Sequence, residues 1–114
     1  MTNRSSPSVV PLAPADLVAV AVGGSQVILA WTECENGTLG FHIERAVCNS
    51  PSKPFVEIGK VGSHVAAFRD GSVTPRTTYH YRVHAWNASG NSLPSNVVEV
   101  TPSQADTEPS ANED

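Results

Sequence analysis

Apolar and polar residues alternate along this chain in short runs, and a period of two commits each run to a half-buried β-strand, because successive side chains of an extended backbone point to opposite faces. Seven such runs occur, at residues 17–22, 26–32, 40–47, 55–61, 65–69, 78–87 and 94–101, each bounded by Gly, Pro, Asn, Asp or Ser. No stretch carries a 3.6-residue period. The nearly even spacing of turn formers therefore predicts an all-β sandwich or barrel. Alternation also assigns faces: Val27, Leu29 and Trp31 share one face of the second run, Phe41 and Ile43 one face of the third, and Tyr79, Tyr81, Val83 and Ala85 one face of the sixth. These residues are the expected core.

The chain of 114 residues has room for one such core. Residues 1–13, rich in Ser and Pro, and residues 103–114, rich in Ser, Asp and Glu, lack the apolar material that offsets ordering entropy. They are expected to be a flexible linker and a disordered acidic tail flanking a domain at 14–102. Pro11 and Pro14 fix the backbone as extended ahead of the first strand. A domain this small buries about 60 to 70% of its unfolded surface, which leaves little material for the deep pocket most enzymes use.

The net charge of −4 resides in the tail, since Asp106, Glu108, Glu113 and Asp114 account for the whole imbalance. The bases are scattered rather than gathered into a stripe with interleaved aromatics, so nucleic acid is not an expected partner. No apolar run approaches the roughly 20 residues that span a bilayer, and no membrane insertion is expected. Residues 1–8 are polar where a signal peptide carries an apolar stretch, so the segment as given is expected to be soluble and any export signal to lie elsewhere in a longer protein.

Several phrases resemble a known family. The Pro-rich lead-in, Leu17, Leu29 with Trp31, and Gly40-Phe41-His42-Ile43-Glu44-Arg45 are similar to the first half of a fibronectin type III domain. Val73-Thr74-Pro75-Arg76-Thr77-Thr78-Tyr79 resembles its E–F turn, and Tyr81-Arg82-Val83-His84-Ala85-Trp86-Asn87 its F strand. Gly90-Asn91-Ser92 and Pro94-Ser95 resemble its F–G loop and G strand. The resemblance runs from about Pro11 to Pro102 in the family's order and spacing. It implies an immunoglobulin-like sandwich of seven antiparallel strands, A-B-E against C′-C-F-G, with Tyr79 as a corner tyrosine bonded to nearby backbone. The versions at 41–46, 68–70 and 77–82 look like those of bacterial multidomain secreted enzymes. Arg69-Asp70-Gly71 departs from the Arg-Gly-Asp that integrin-binding members carry on the F–G loop, so no integrin site is expected. Asp70 is expected to cap the turn, with Gly71 supplying backbone freedom.

Candidate chemistry is sparse. Cys34 follows the second strand and Cys48 the third, so a strand about 25 Å long separates them. A disulfide needs Cα atoms within about 7 Å, and two free thiols are expected. His42, His80 and His84 point outward on the third and sixth strands, and the register that pairs His42 with His84 also pairs Glu44 with Arg82. Two imidazoles with Glu44 as third ligand would make a weak zinc or copper site. A solvated polar face is the simpler reading, and no metal or cofactor is expected. Trp86 shares that face, and an exposed indole is a plausible partner contact beside the loops at 35–39 and 88–93. No nucleophile elbow, His-Glu-x-x-His or phosphate-binding loop occurs, and Gly23-Gly24-Ser25 is a tight turn. Three Asn-x-Ser/Thr matches occur, at Asn3, Asn36 and Asn87, where chance alone gives about one or two, and no weight attaches to them.

The expected protein is a noncatalytic, monomeric module, a spacer or interaction domain within a larger extracellular or cell-surface chain. Its partners would be neighbouring domains, or a protein or glycan ligand. The alternatives are a ligand-binding domain using Trp86, His84 and His42, or a metal-binding domain using His42 and His84.

Overall fold

A computed structural model describes residues 9–34, 37–48 and 54–103. Each expected run contains a strand: β1 Ala15–Val22, β2 Gln26–Thr32, β3 Gly40–Val47, β4 Val56–Gly62, β5 Ala67–Asp70, β6 Tyr79–Asn87 and β8 Val98–Val100. An eighth, β7 Gly90–Asn91, closes a tight turn in which Asn87 pairs with Gly90, whose φ of 131° suits glycine. All pairings are antiparallel. One sheet has the order β1-β2-β5; the other runs β4-β3-β6, with β7 and β8 sharing the far side of β6. This is the arrangement the resemblance implies, with one short strand added.

The last run is shorter than expected, for a reason visible in its side chains. Ser92 N donates to Ala85 O and Ser95 N to Val83 O, while Ala85 N and Val83 N donate back to the hydroxyls of Ser92 and Ser95. Seryl oxygens thus stand where a neighbouring strand would present carbonyls. The edge of β6 is satisfied without a regular ladder.

Between the sheets lie Leu17, Val27, Leu29, Trp31, Phe41, Ile43, Val73, Tyr79, Tyr81, Val83 and Ala85. Every residue expected in the core is buried there. Each large side chain contributes about 1.5 to 3 kcal/mol on burial. Trp31 meets Phe41 edge to face at 5.5 Å. Gly59 on β4 leaves room for the Phe68 ring, which a Cβ would strike.

Polar groups fix the corners. Thr74 N donates to the Tyr79 hydroxyl at 2.8 Å, the corner bond anticipated for Tyr79. Asp70 accepts from Ser72 N at 3.0 Å and from the Ser72 hydroxyl at 2.8 Å, as expected of a turn cap. It does more than that. Its other oxygen accepts from Tyr81 at 2.7 Å and from Arg45 Nη1 at 2.9 Å, and the residue is 3% exposed.

Chain entry and exit lie at opposite poles. Residues 9–14 run beside the β6–β7 turn, where Asn87 Nδ2 donates to Val9 O. The chain leaves at the Tyr79 end of the same strand, where Arg76 N donates to Pro102 O. Residues 1–8 and 104–114, most of the expected linker and tail, lie outside the described residues. Cys34 and Cys48 are free and exposed.

Candidate functional site

The outer face of the five-stranded sheet collects the singled-out side chains, because β3 and β6 pair in the expected register. His42 lies opposite His84 and Glu44 opposite Arg82. On the other side of β3, β4 sets Lys60 beside His42 and Glu57 beside Glu44. Like charges directly opposite are unfavourable, and the two carboxylates turn apart. Glu44 accepts from Arg82 Nε at 2.6 Å and lies 3.0 Å from His84 Nε2. Glu57 lies 3.0 Å from His42 Nδ1, out of line for a hydrogen bond. Burial alone would raise the Glu44 carboxyl, but the bonds and charges of Arg82 and His84 outweigh it and hold it below the usual range.

The same pattern recurs along β6. His80 Nε2 lies 3.1 Å from Glu99 Oε1 on β8, so each histidine of this face meets a glutamate from an adjoining strand. His84 Nδ1 also lies 2.9 Å from Ser92 O, which can only accept, and this places a proton on Nδ1. Arg82 stacks on Phe55 at 4.0 Å. The face is therefore largely paired with itself.

Trp86 is inlaid rather than free-standing. Its ring lies 5.9 Å from that of His42, and a Cβ on Gly40 would fall 2.8 Å from its Nε1. That nitrogen is buried without a hydrogen-bond partner, while the ring as a whole is partly buried. His42, His84 and Trp86 do form one contiguous surface. Glu57, Glu99, Phe55 and Ser92, which complete it, were not singled out in the sequence, although alternation along β4 and β8 carries the signal for Glu57 and Glu99.

Among the described residues, no three of His, Cys, Asp and Glu are placed to hold a metal ion. A shallow cavity of about 340 Å³ opens at the exit end of the sheet, lined by Cys48, Arg76, Thr77, Thr78, His80 and Glu99. Although Cys48 is exposed, partial desolvation of its sulfur in this cavity and the Glu99 charge push the thiol up, which makes it a poor nucleophile at neutral pH. Of the three Asn-x-Ser/Thr matches, Asn3 and Asn36 lie outside the described residues, and Asn87 is buried with its amide engaged. No helix among the described residues is long and apolar enough to cross a membrane.

No family model matches the chain. It is 32% identical over 92 residues to an amylopullulanase of Thermoanaerobacter thermohydrosulfuricus, a match covering 81% of this chain but 6% of that protein. Among solved structures, the fibronectin type III domain of human fibronectin type III domain containing protein 3 is 26% identical, with a TM-score of 0.68, over 89% of this chain and 94% of that one. An fn3 domain of human contactin 1 is 21% identical, with a TM-score of 0.69, over 94% and 87%. The FN5 domain of Drosophila Lar is 19% identical, with a TM-score of 0.69, over 83% and 99%.

Proposed function

The chain is a fibronectin type III domain, and from that premise we propose that it is a noncatalytic module that spaces or orients neighbouring domains of a larger extracellular protein. The observation that carries this reading is the placement of entry and exit at opposite poles, each tied down, by Asn87 to Val9 and by Arg76 to Pro102. The nine residues of β6 separate the poles by about 27 Å. A module so built adds a fixed length between its neighbours. The likeness to a segment making up 6% of an amylopullulanase supports a parent chain far longer than one domain.

Fluorophores fused to the two ends test the spacer. The domain is expected to hold them at a longer and narrower distance than a Gly/Ser linker of equal residue count; equal distributions would remove the reading. A second reading, partner binding through Trp86, His84 and His42, is favoured by the adjoining His42 and Trp86 rings on one open face. Glycan arrays and pull-downs comparing the native chain with a folded Trp86→Ala variant decide it, and equal signals dismiss it.

A further inference from the structure

His84 lies between two acceptors, one on each side of its strand. Its Nδ1 is 2.9 Å from Ser92 O on the turn side of β6, and its Nε2 is 3.0 Å from Glu44 Oε1 on β3. A peptide carbonyl and an ionised carboxylate both accept only, so each contact is a hydrogen bond when the ring nitrogen facing it carries a proton. The imidazolium carries both protons. A neutral ring has one N–H, and whichever side it serves, the other acceptor meets a lone pair at hydrogen-bond distance. With the His84 side chain 15% exposed and Ser92 4% exposed, water has little access to either contact.

Charged neighbours reach the ring from β3, as Glu44 and His42, and from its own strand, as Arg82, which also bonds Glu44. Lys60 and Glu57 of β4 lie beyond His42, with Glu57 3.0 Å from its Nδ1, and Glu99 of β8 pairs with His80. The turn side presents the uncharged Ser92 carbonyl.

We propose that His84 is a pH-operated tie between the turn that follows β6 and strand β3. Doubly protonated, it joins Ser92 O to Glu44 across the sheet. Neutral, it holds one of them, and the carboxylate wins the remaining proton, because a hydrogen bond to an ionised acceptor is roughly twice as strong as one to a neutral acceptor. Raising the pH through the range where histidine titrates therefore removes the proton from Nδ1 and leaves the Ser92 carbonyl without that donor. Ser92 follows Asn91, which pairs with Trp86, so the tie governs how firmly the turn is held beside that ring. Any effect on partner binding rests on the second reading above, whereas the tie rests on geometry alone.

Long-range proton–nitrogen NMR of the unaltered chain, titrated from about pH 5 to 9, reads the ring directly. Both His84 nitrogens are expected to be protonated at the acid end and Nε2 alone at the alkaline end. The Leu93 amide, whose peptide group includes the Ser92 carbonyl, is expected to shift with the same midpoint as the His84 ring. A neutral ring with its proton on Nδ1, or a Leu93 amide that does not follow His84, would overturn the proposal. Glu44→Gln removes the charge that decides the competition and offers an amide N–H to a bare Nε2, so the Leu93 step is expected to be lost, while unmoved Ile43 and Val83 amides report an intact fold. A step that persists in that folded variant would also overturn it. If the Leu93 step appears and Trp86-dependent binding shows no change over the same pH range, the effect on binding fails and the tie stands.

Discussion

Asp70 shows how one residue is half legible in sequence. The turn formers around it mark a cap, and it is one, but alternation also sets Arg45 on the face of Phe41 and Ile43, where a cation requires a buried acid. Tyr81 lies opposite Arg45, and both reach the same Asp70 oxygen. Burial alone raises the Asp70 carboxyl; bonds from Tyr81, Ser72 and Arg45 overcome this and place it below the usual range. A carboxyl lowered by folding contributes stability above its ordinary titration range and loses it as pH falls through the folded value. The melting temperature is therefore expected to fall steeply below about pH 4, and Asp70→Asn to flatten that acid limb. At neutral pH the same substitution should cost about 3 kcal/mol by leaving Arg45 without its carboxylate, with only the Ser72 hydroxyl and the Tyr79 ring still in reach, measured by urea unfolding. Burial, with the Asp70 bond and charge, pushes the Tyr81 hydroxyl far up and keeps it a donor. Tyr81→Phe should cost about 1 to 2 kcal/mol, less than the loss of Asp70.

At the scale of elements, strands were readable from their period and strand ends were not. Ser92 and Ser95 finish β6 through hydroxyls, a solution that propensity does not register. Asn96 does related work on β1: its Oδ1 accepts from Leu17 N at 2.9 Å, and its Nδ2 donates to Leu17 O at 3.0 Å. One amide covers the backbone of an edge strand and ties the two sheets together. Asn96→Ala should cost about 1 to 2 kcal/mol and raise the tendency to associate, read by light scattering on a sample still folded by circular dichroism. Gly40 is the counterpart on β3. A Cβ there would fall 2.5 Å from Val61 O as well as against Trp86, so Gly40→Ala should cost about 1 to 3 kcal/mol. The Trp86 indole N–H resonance should move toward its position in water while that of Trp31 stays put.

Across the whole molecule the two outer faces are unlike. One bears histidines and glutamates in cross-strand pairs; the other exposes Val18, Val20 and Val22 at 54, 58 and 50% along β1. Those valines touch little. Val20→Thr should change stability by less than about 0.5 kcal/mol in urea unfolding, whereas shortening any of the core valines should cost more. Entry and exit at opposite poles, tied by Asn87 to Val9 and by Arg76 to Pro102, give the module its direction.

Sequence by itself determined the fold class: a period of two, interrupted by turn formers at even spacing, leaves an all-β sandwich or barrel as the way to bury Trp31, Phe41 and Tyr81 together, and the family resemblance selects the sandwich. It also set the β3–β6 register, because a slip of one residue would turn His42 and Glu44 inward. Tertiary structure alone decided which polar groups meet. Leu17 with Asn96, Val9 with Asn87, and Arg45 with Asp70 lie 79, 78 and 25 residues apart. No local period encodes such contacts; they exist only once two sheets have packed and brought their rims within hydrogen-bond reach.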